Sequence, residues 1–236
     1  MDDIARQQDY YTRTANDYET MHVAQFDEHM LALSYFAGLA RALGAKSVLD
    51  VGAGTGRALT FLSEHLPGAT LHGIEPVKAL RDVAYANGIT PDRLTDGSGE
   101  CLPFADNAFD FVIETGVLHH VPRPAKVVAE MVRVARIGVL ISDCNKLGQG
   151  SPLLRLIKAV INRLGLWHAM IWLTTRGKMS KWSEGDGLFY SYSVFDNIDL
   201  LKPKFPRLFL SNTVPMPGSD LKRGAAEVCV IALRSE

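Results

Sequence analysis

Three glycines at alternate positions, Gly52, Gly54 and Gly56, lie in the segment VLDVGAGTGR between an apolar, β-branched run and a helical pattern. A loop of this kind lets a ligand lie directly against the backbone. The dinucleotide fingerprint GxGxxG needs a third glycine at position 57, which is Arg57, and no GKS or GKT of a Walker loop follows. A nicotinamide cofactor and a Walker-type nucleotide are therefore disfavoured. His119 and His120 follow a later apolar run, where an imidazole could take a proton near neutral pH or merely pack and cap the next helix. Asp143, Asn145 and Gln149 follow the next run, in a loop with Gly148 and Gly150, and read either as acceptor-binding groups or as turn residues. The cysteines Cys101, Cys144 and Cys229 are odd in number and lack a CxxC pair, so neither a disulfide framework nor a zinc ribbon is expected. No metal site is expected, and a reducing, cytoplasmic setting fits.

These residues need a scaffold, and 236 residues at 47% hydrophobic content are enough for one sizeable core. Strands are expected at Ser47–Val51, Thr70–Ile74, near Arg93–Thr95, at Phe109–Glu114 and at Ile137–Ser142. Helices are expected at Thr55–Leu66, from Pro76 to Asn87 and at Pro122–Arg136. Such alternation is the pattern of a parallel sheet covered on both faces, a doubly wound α/β domain. Two leading helices, about Met1–Glu19 and Phe26–Leu43, precede it. An amphipathic helix from Ser151 to Trp167 and a loop rich in Gly, Ser and aromatics up to Phe195 follow it. Leu208–Val214 and Glu227–Leu233, separated by the turn-forming MPGSD, read as a terminal antiparallel hairpin.

VLDVGAGTGR resembles motif I of the class I S-adenosylmethionine (SAM) dependent methyltransferases, and ECLPFADNAFDFVIETGVLHHV resembles later motifs of their ubiquinone-methyltransferase-like (methyltransferase type 11) branch. The resemblance covers Ala45 to Ser142. It implies a seven-stranded, mostly parallel Rossmann-like sheet in a single domain, with SAM as cofactor and S-adenosylhomocysteine as product. Asp50 matches the acid that orients the methionine moiety, Gly52 and Gly54 the close backbone approaches, and Glu75 the ribose-binding acid. Ala53, Pro76, Thr115, Gly116 and, from the leading helix, Tyr18 complete the implied cofactor wall. Aligning on Leu102-Pro103-Phe104 puts Ser98 where the family often has an adenine-binding aspartate, so that contact falls to Ser98 or to Asp96, Gly99 or Glu100. The PGG turn usual before the fifth strand is missing, because ARIGV joins helix to strand directly.

Methyl transfer is an in-line displacement, so the protein mainly aligns the nucleophile and excludes water. The resemblance places His119 or His120 in the pocket as candidate bases. Tyr11, Asn145, Trp182, Tyr190 and Tyr192 are the candidate acceptor contacts, while Trp167 and Trp172, at helical spacing, suit a core. Residues 1–44 are expected as an N-terminal helical lid, 45–143 as the cofactor-binding core, 144–205 as the acceptor-pocket insertion and 206–236 as the hairpin.

The formal net charge of -1 gives no basic excess for a nucleic-acid backbone. It is unevenly spread: 12 basic and 19 acidic residues precede Cys144, and 13 basic and 7 acidic follow from there. Between Cys144 and Ser183 there are seven basic residues and no acid. The basic helix reads as a solvated face, as a weak peripheral membrane contact, or as a surface that draws an anionic acceptor. The N-terminus has no signal-peptide pattern, and no run reaches the ~20 apolar residues of a membrane span. The expected activity is transfer of a methyl group to an oxygen or nitrogen of a small, planar, potentially anionic molecule. The alternatives are a lipophilic quinone or lipid acceptor, and a catalytically silent SAM-binding protein. Oligomeric state is not encoded legibly.

Overall fold

The computed structural model describes residues 2–22, 27–216 and 218–235. Position 26, where the second leading helix was expected to begin, and Pro217 of the expected MPGSD turn lie outside them. The leading segment forms α1 (Asp3–Thr14), a 3-10 turn (Ala15–Asp17) and α2 (Tyr18–His22), followed by α3 (Glu28–Ala42). Asp2 caps α1 by accepting from Ala5 N, and Asp27 caps α3 by accepting from His29 N and Met30 N, each closing an otherwise unpaired first turn.

The core then alternates: β1 (Ser47–Val51), α4 (Arg57–His65), β2 (Thr70–Ile74), α5 (Lys78–Ala86), β3 (Leu94–Thr95), β4 (Phe109–Thr115), α6 (Pro124–Val134) and β5 (Ala135–Cys144). The α6-to-β5 join has no intervening turn, as the missing PGG implies. After β5 come α7 (Pro152–Arg163), α8 (Trp167–Thr174), β6 (Ser180–Ser183), β7 (Gly187–Tyr190), α9 (Ile198–Leu201), β8 (Arg207–Asn212), α10 (Leu221–Gly224) and β9 (Glu227–Leu233).

Seven strands form one sheet in the order β3-β2-β1-β4-β5-β9-β8, parallel except for β9, which runs antiparallel to both β5 and β8. The expected mostly parallel seven-stranded sheet is present. Alternate side chains of β1 go to opposite faces: Val48 packs with Phe36, Leu59 and Leu62 of α3 and α4, whereas Leu49 and Val51 pack with Val127, Val128 and Met131 of α6. Phe111 is fully buried edge-on against Phe36 at 5.2 Å, a burial that stabilises by roughly 1.5–3 kcal/mol. Strand order reverses between β1 and β4, so their carboxyl ends open the crevice where such sheets bind ligands.

The insertion departs from expectation in two places. The helix expected to run to Trp167 ends at Arg163, where Gly165, at φ +71°, turns the chain before α8 begins. The stretch expected as loop contains the hairpin β6–β7, tied to α1: Tyr10 OH donates to Glu184 O (3.0 Å), Leu188 N donates to Gln7 Oε1 (2.5 Å), and Ser180 Oγ and Tyr190 OH both donate to Asp3 Oδ2 (2.9 and 3.0 Å). The N-terminal helix and the insertion thus form one cover over the crevice.

Candidate active site

The glycine loop leaves β1 in the left-handed region, with φ of +77° at Gly52 and +54° at Gly54. A Cβ on Gly52 would sit 2.6 Å from a methyl of Val117, so the loop closes only with glycine there. Gly52 N and Ala53 N both donate to Ile74 O, drawing the end of β1 against the end of β2. This brings together two buried carboxyl groups, Asp50 on β1 and Glu75 just beyond β2. Gly54 N donates to Glu75 Oε2 (3.1 Å) and Val77 N to Oε1 (2.8 Å), leaving each oxygen further acceptor capacity. Burial pushes both carboxyls up to about 7, and Asp50 is raised further by the Glu75 charge.

Two adjoining cavities open from this loop. One, of about 310 Å³, is lined by Gly54, Glu75, Pro76, Ser98, Gly99 and Glu100. The other, of about 460 Å³, is lined by Asp50, Ala53, Thr55 and Arg57 and extends under the insertion to Trp167, Phe189 and Tyr190. Gly52, Thr115, Gly116, His120, Tyr11 and Tyr18 border both. Of the residues expected at the cofactor, all but Asp96 line one cavity or the other; Asp96 is exposed and pairs with Arg81. Tyr11 and Tyr18 meet edge to face at 5.8 Å on the side of the N-terminal helices.

A chain of imidazoles and carboxylates crosses from the sheet to the cover. His119 Nδ1 lies 2.8 Å from Asp143 Oδ1, a carboxylate that also accepts from Leu118 N (2.8 Å) and Cys144 N (2.6 Å). Asp186, in the β6–β7 turn, faces both rings, with Oδ2 3.7 Å from His119 Nε2 and Oδ1 3.3 Å from His120 Nε2. His120 Nδ1 donates to Leu188 O (2.8 Å). Burial disfavours a charge on His119, but Asp143 and then Asp186 outweigh it and raise the ring well above its ordinary range. Burial also opposes charge on Asp186, yet the hydrogen bonds from His119 and His120 hold it well below the usual carboxylate range. His119 thus carries a proton at neutral pH in this arrangement, so it can serve as a base only after giving that proton up. The donor atoms of His119, His120 and Asp186 lie within 4.8 Å of one another, a spacing that could also hold a metal ion.

Several site residues escaped the reading of the sequence. Among the described residues, Thr55 Oγ1 and Arg57 Nε are buried without a hydrogen-bond partner beside the glycine loop, although Arg57 is ion-paired to Asp27 through Nη2. Arg57 had served only to exclude a dinucleotide. Lys146, Lys158 and Lys181 line the larger cavity, as do Glu28 and Glu227. Lys158 is held below the ordinary amine range by burial first, then by Lys181 and Arg155. Glu227, at the start of β9, is pushed up to about 8, mainly by burial and next by Asp143. Only the register of β9 against β5 brings it there, which no local signal reveals.

Three expectations for the insertion need correction. Asn145 does not face a ligand: it is fully buried, Nδ2 donates to Lys222 O (2.9 Å) and Ala225 O (2.8 Å), and Oδ1 accepts from Leu147 N and Ser193 Oγ. It ties the end of β5 to the turn before β9. Tyr192, by contrast, lines the larger cavity while its ring packs into the core, 2% exposed, with its hydroxyl accepting from Asn197 Nδ2. Trp182 lies outside the cavities, edge-on to Tyr10 with Arg6 over its ring. Trp172, expected in a core, is 57% exposed, whereas Trp167 is buried with Leu147 and Ile171 and donates to Ser191 Oγ.

Sheet order and crevice are those of the Rossmann-like methyltransferase fold. The architecture is similar over 96% of this chain to a SAM-dependent methyltransferase of Thermotoga maritima described as a possible histamine N-methyltransferase, with TM-score 0.58, 18% identity and 99% of that chain covered. It is similar over the full chain to the magnesium protoporphyrin IX methyltransferase of Synechocystis PCC 6803 solved with bound SAM, with TM-score 0.62, 14% identity and 98% of that chain covered. Residues 49–142 match the methyltransferase domain family. An uncharacterized methyltransferase of Mycobacterium marinum is 33% identical over 107 residues, 45% of this chain and 41% of that protein. One from Mycobacterium tuberculosis is 36% identical over 100 residues, 41% of this chain and 37% of that protein. The chain spans about two fifths of the length of these curated relatives. Through residues 49–142 of its core the chain is similar to the class I SAM-dependent methyltransferases.

Proposed function

We propose that this protein transfers a methyl group from SAM to an oxygen anion of a small, planar molecule held in the larger cavity. The observation that carries the reading is the set of groups around the glycine loop: two buried carboxyls, a hydroxyl and a guanidinium N–H without partners, and a backbone open to close approach. These fit an amino acid joined to a nucleoside. Glu75 would accept from the ribose hydroxyls, Pro76, Ser98, Gly99 and Glu100 would border the base, and Thr55 and Arg57 would donate to the α-carboxylate. Asp50 would balance the positive charges of the ammonium and sulfonium. The bound cofactor supplies a methyl group already activated for in-line displacement.

The chain's own residues then do three things. Tyr11, Tyr18 and the β6–β7 hairpin close over the crevice and keep water out. Phe189 and Tyr190 offer flat walls to a planar acceptor. Lys158 and Lys181 draw an anion, and one placed there would relieve their mutual repulsion. An acceptor arriving as a carboxylate or phenolate needs no base, which agrees with a His119 that already holds its proton. If the acceptor arrives protonated, Glu227, pushed up to about 8, is the cavity carboxyl best matched to removing the proton. The test is incubation of the protein and labelled SAM with an extract of its source cells. With the label on the methyl group, one labelled small molecule whose methylated oxygen has lost its charge is expected; S-adenosylhomocysteine formation that no fraction of the extract stimulates would instead indicate a silent cofactor binder.

A further inference from the structure

Helix α7 is amphipathic with its apolar side outward. None of its residues is buried. Its polar side is turned to the rest of the protein, where Lys158 Nζ donates to the carbonyls of Lys146 (2.9 Å) and Gln149 (3.1 Å), and Arg155 donates to those of Gly150 (2.8 Å) and Gly224 (3.2 Å). Leu153, Leu156, Ile157 and Val160, at i, i+3, i+4 and i+7, form one stripe on the other side, and Leu164 extends it. Leu153, Leu156 and Leu164 are 68, 62 and 65% exposed. The exposed apolar run continues through Leu166 to Trp172 and Leu173 of α8. A helix that turns its polar side inward and a leucine stripe outward is built to be covered.

The charges around the stripe select what covers it. Arg163, Arg176 and Lys178 are exposed, and the whole stretch from Cys144 to Ser183 contains no acid. A second copy meeting this face with its own would set like charges together, whereas an anionic bilayer offers hydrocarbon to the leucines and phosphate to the bases. We propose that the α7–α8 face docks the protein on an anionic lipid surface. The docked face lies directly above the larger cavity, because Lys158, Trp167, Met170 and Ile171 of the same two helices line that cavity. An amphiphilic acceptor could therefore pass from the bilayer into it, although the docking itself does not depend on the methyl-transfer reading.

The experiment is flotation of the purified protein with vesicles of phosphatidylcholine alone and with added phosphatidylglycerol, at low and high salt. Wild type should float with the anionic vesicles, and salt should weaken the binding. Leu156→Asp combined with Val160→Asp should abolish flotation, and Arg176→Glu combined with Lys178→Glu should weaken it by about tenfold or more. All these positions are exposed, so each variant should melt like wild type, and a variant that does not is replaced by Leu156→Ser or Arg176→Gln. Wild type that stays unbound with both vesicles overturns the proposal, as does flotation untouched by either pair of substitutions. Light scattering that shows a wild-type dimer made monomeric by the leucine-stripe variants would assign the face to a second copy and overturn it as well.

Discussion

Asp50 and Glu75 are buried one strand apart, with Arg81 donating to the backbone carbonyl of Glu75, so they work against the folded state when ionised and, in the function proposed, for the cofactor when it is bound. Their ordinary values in an unfolded chain are near 4, and both are pushed up to about 7 by burial. The stability they contribute is therefore fully present below about pH 4 and is lost as pH rises through 7. Melting of the free protein should fall from about pH 4 to pH 7, and Asp50→Asn should flatten that fall. SAM affinity should rise over the same interval, because the cation favours the ionised carboxylates; an affinity flat from about pH 5 to 7 would remove both groups from the cofactor. Thr55 gives a second test with the opposite partition. Its hydroxyl is buried with no partner among the described residues, so Thr55→Val should leave the melting temperature unchanged or higher, yet weaken SAM by about 1 kcal/mol, the size of one lost hydrogen bond. Calorimetry and a melt on the same variant decide it. At this scale the sequence located groups whose placement is tied to the local glycine motif, such as Asp50 and Glu75. It misled where a side chain's partners are distant in the chain, as with Asn145, whose amide reaches residues 222 and 225.

Elements were legible where hydrophobic period and breaker residues agree, and β1 through β5 appear within a few residues of where the pattern places them. The insertion was not, because its hairpin is held by tertiary partners: Asp3, Gln7 and Tyr10, on a helix more than 170 residues earlier, supply its anchors. Its strands are four residues each and carry no clean alternation. Asn145 joins β5, the turn after it and the approach to β9, so Asn145→Ala should cost about 2–4 kcal/mol by leaving buried carbonyls and the Ser193 hydroxyl short of partners. Denaturant unfolding measures this; a variant as stable as wild type but with a raised acceptor KM would return Asn145 to the binding site. Within the hairpin, Tyr190 lines the cavity and Trp182 does not. Tyr190→Ala should raise the acceptor KM severalfold with SAM affinity unchanged, while Trp182→Ala should leave the acceptor KM alone and lower only the stability of the cover. Steady-state kinetics with both ligands separates the two.

Across the whole molecule, charge divides with function. The acidic part before Cys144 builds the loop and carboxyls suited to a cationic cofactor, and the basic part after it builds the wall suited to an anion and the face suited to anionic lipid. That division was visible in composition alone, since it needs only counting. The outward apolar stripe of α7 was not, because a helical period gives an amphipathic face without saying which way the face turns. The account stands or falls on what the glycine loop holds, and the most direct measurement is isothermal titration of the purified protein and of Glu75→Ala with SAM, S-adenosylhomocysteine and NAD. The expected result is micromolar binding of the first two, none of NAD, and a loss of about 1.5–3 kcal/mol in the folded variant, the range for charge-assisted hydrogen bonds. Binding of NAD in place of SAM, or SAM affinity untouched by the loss of Glu75, would contradict it.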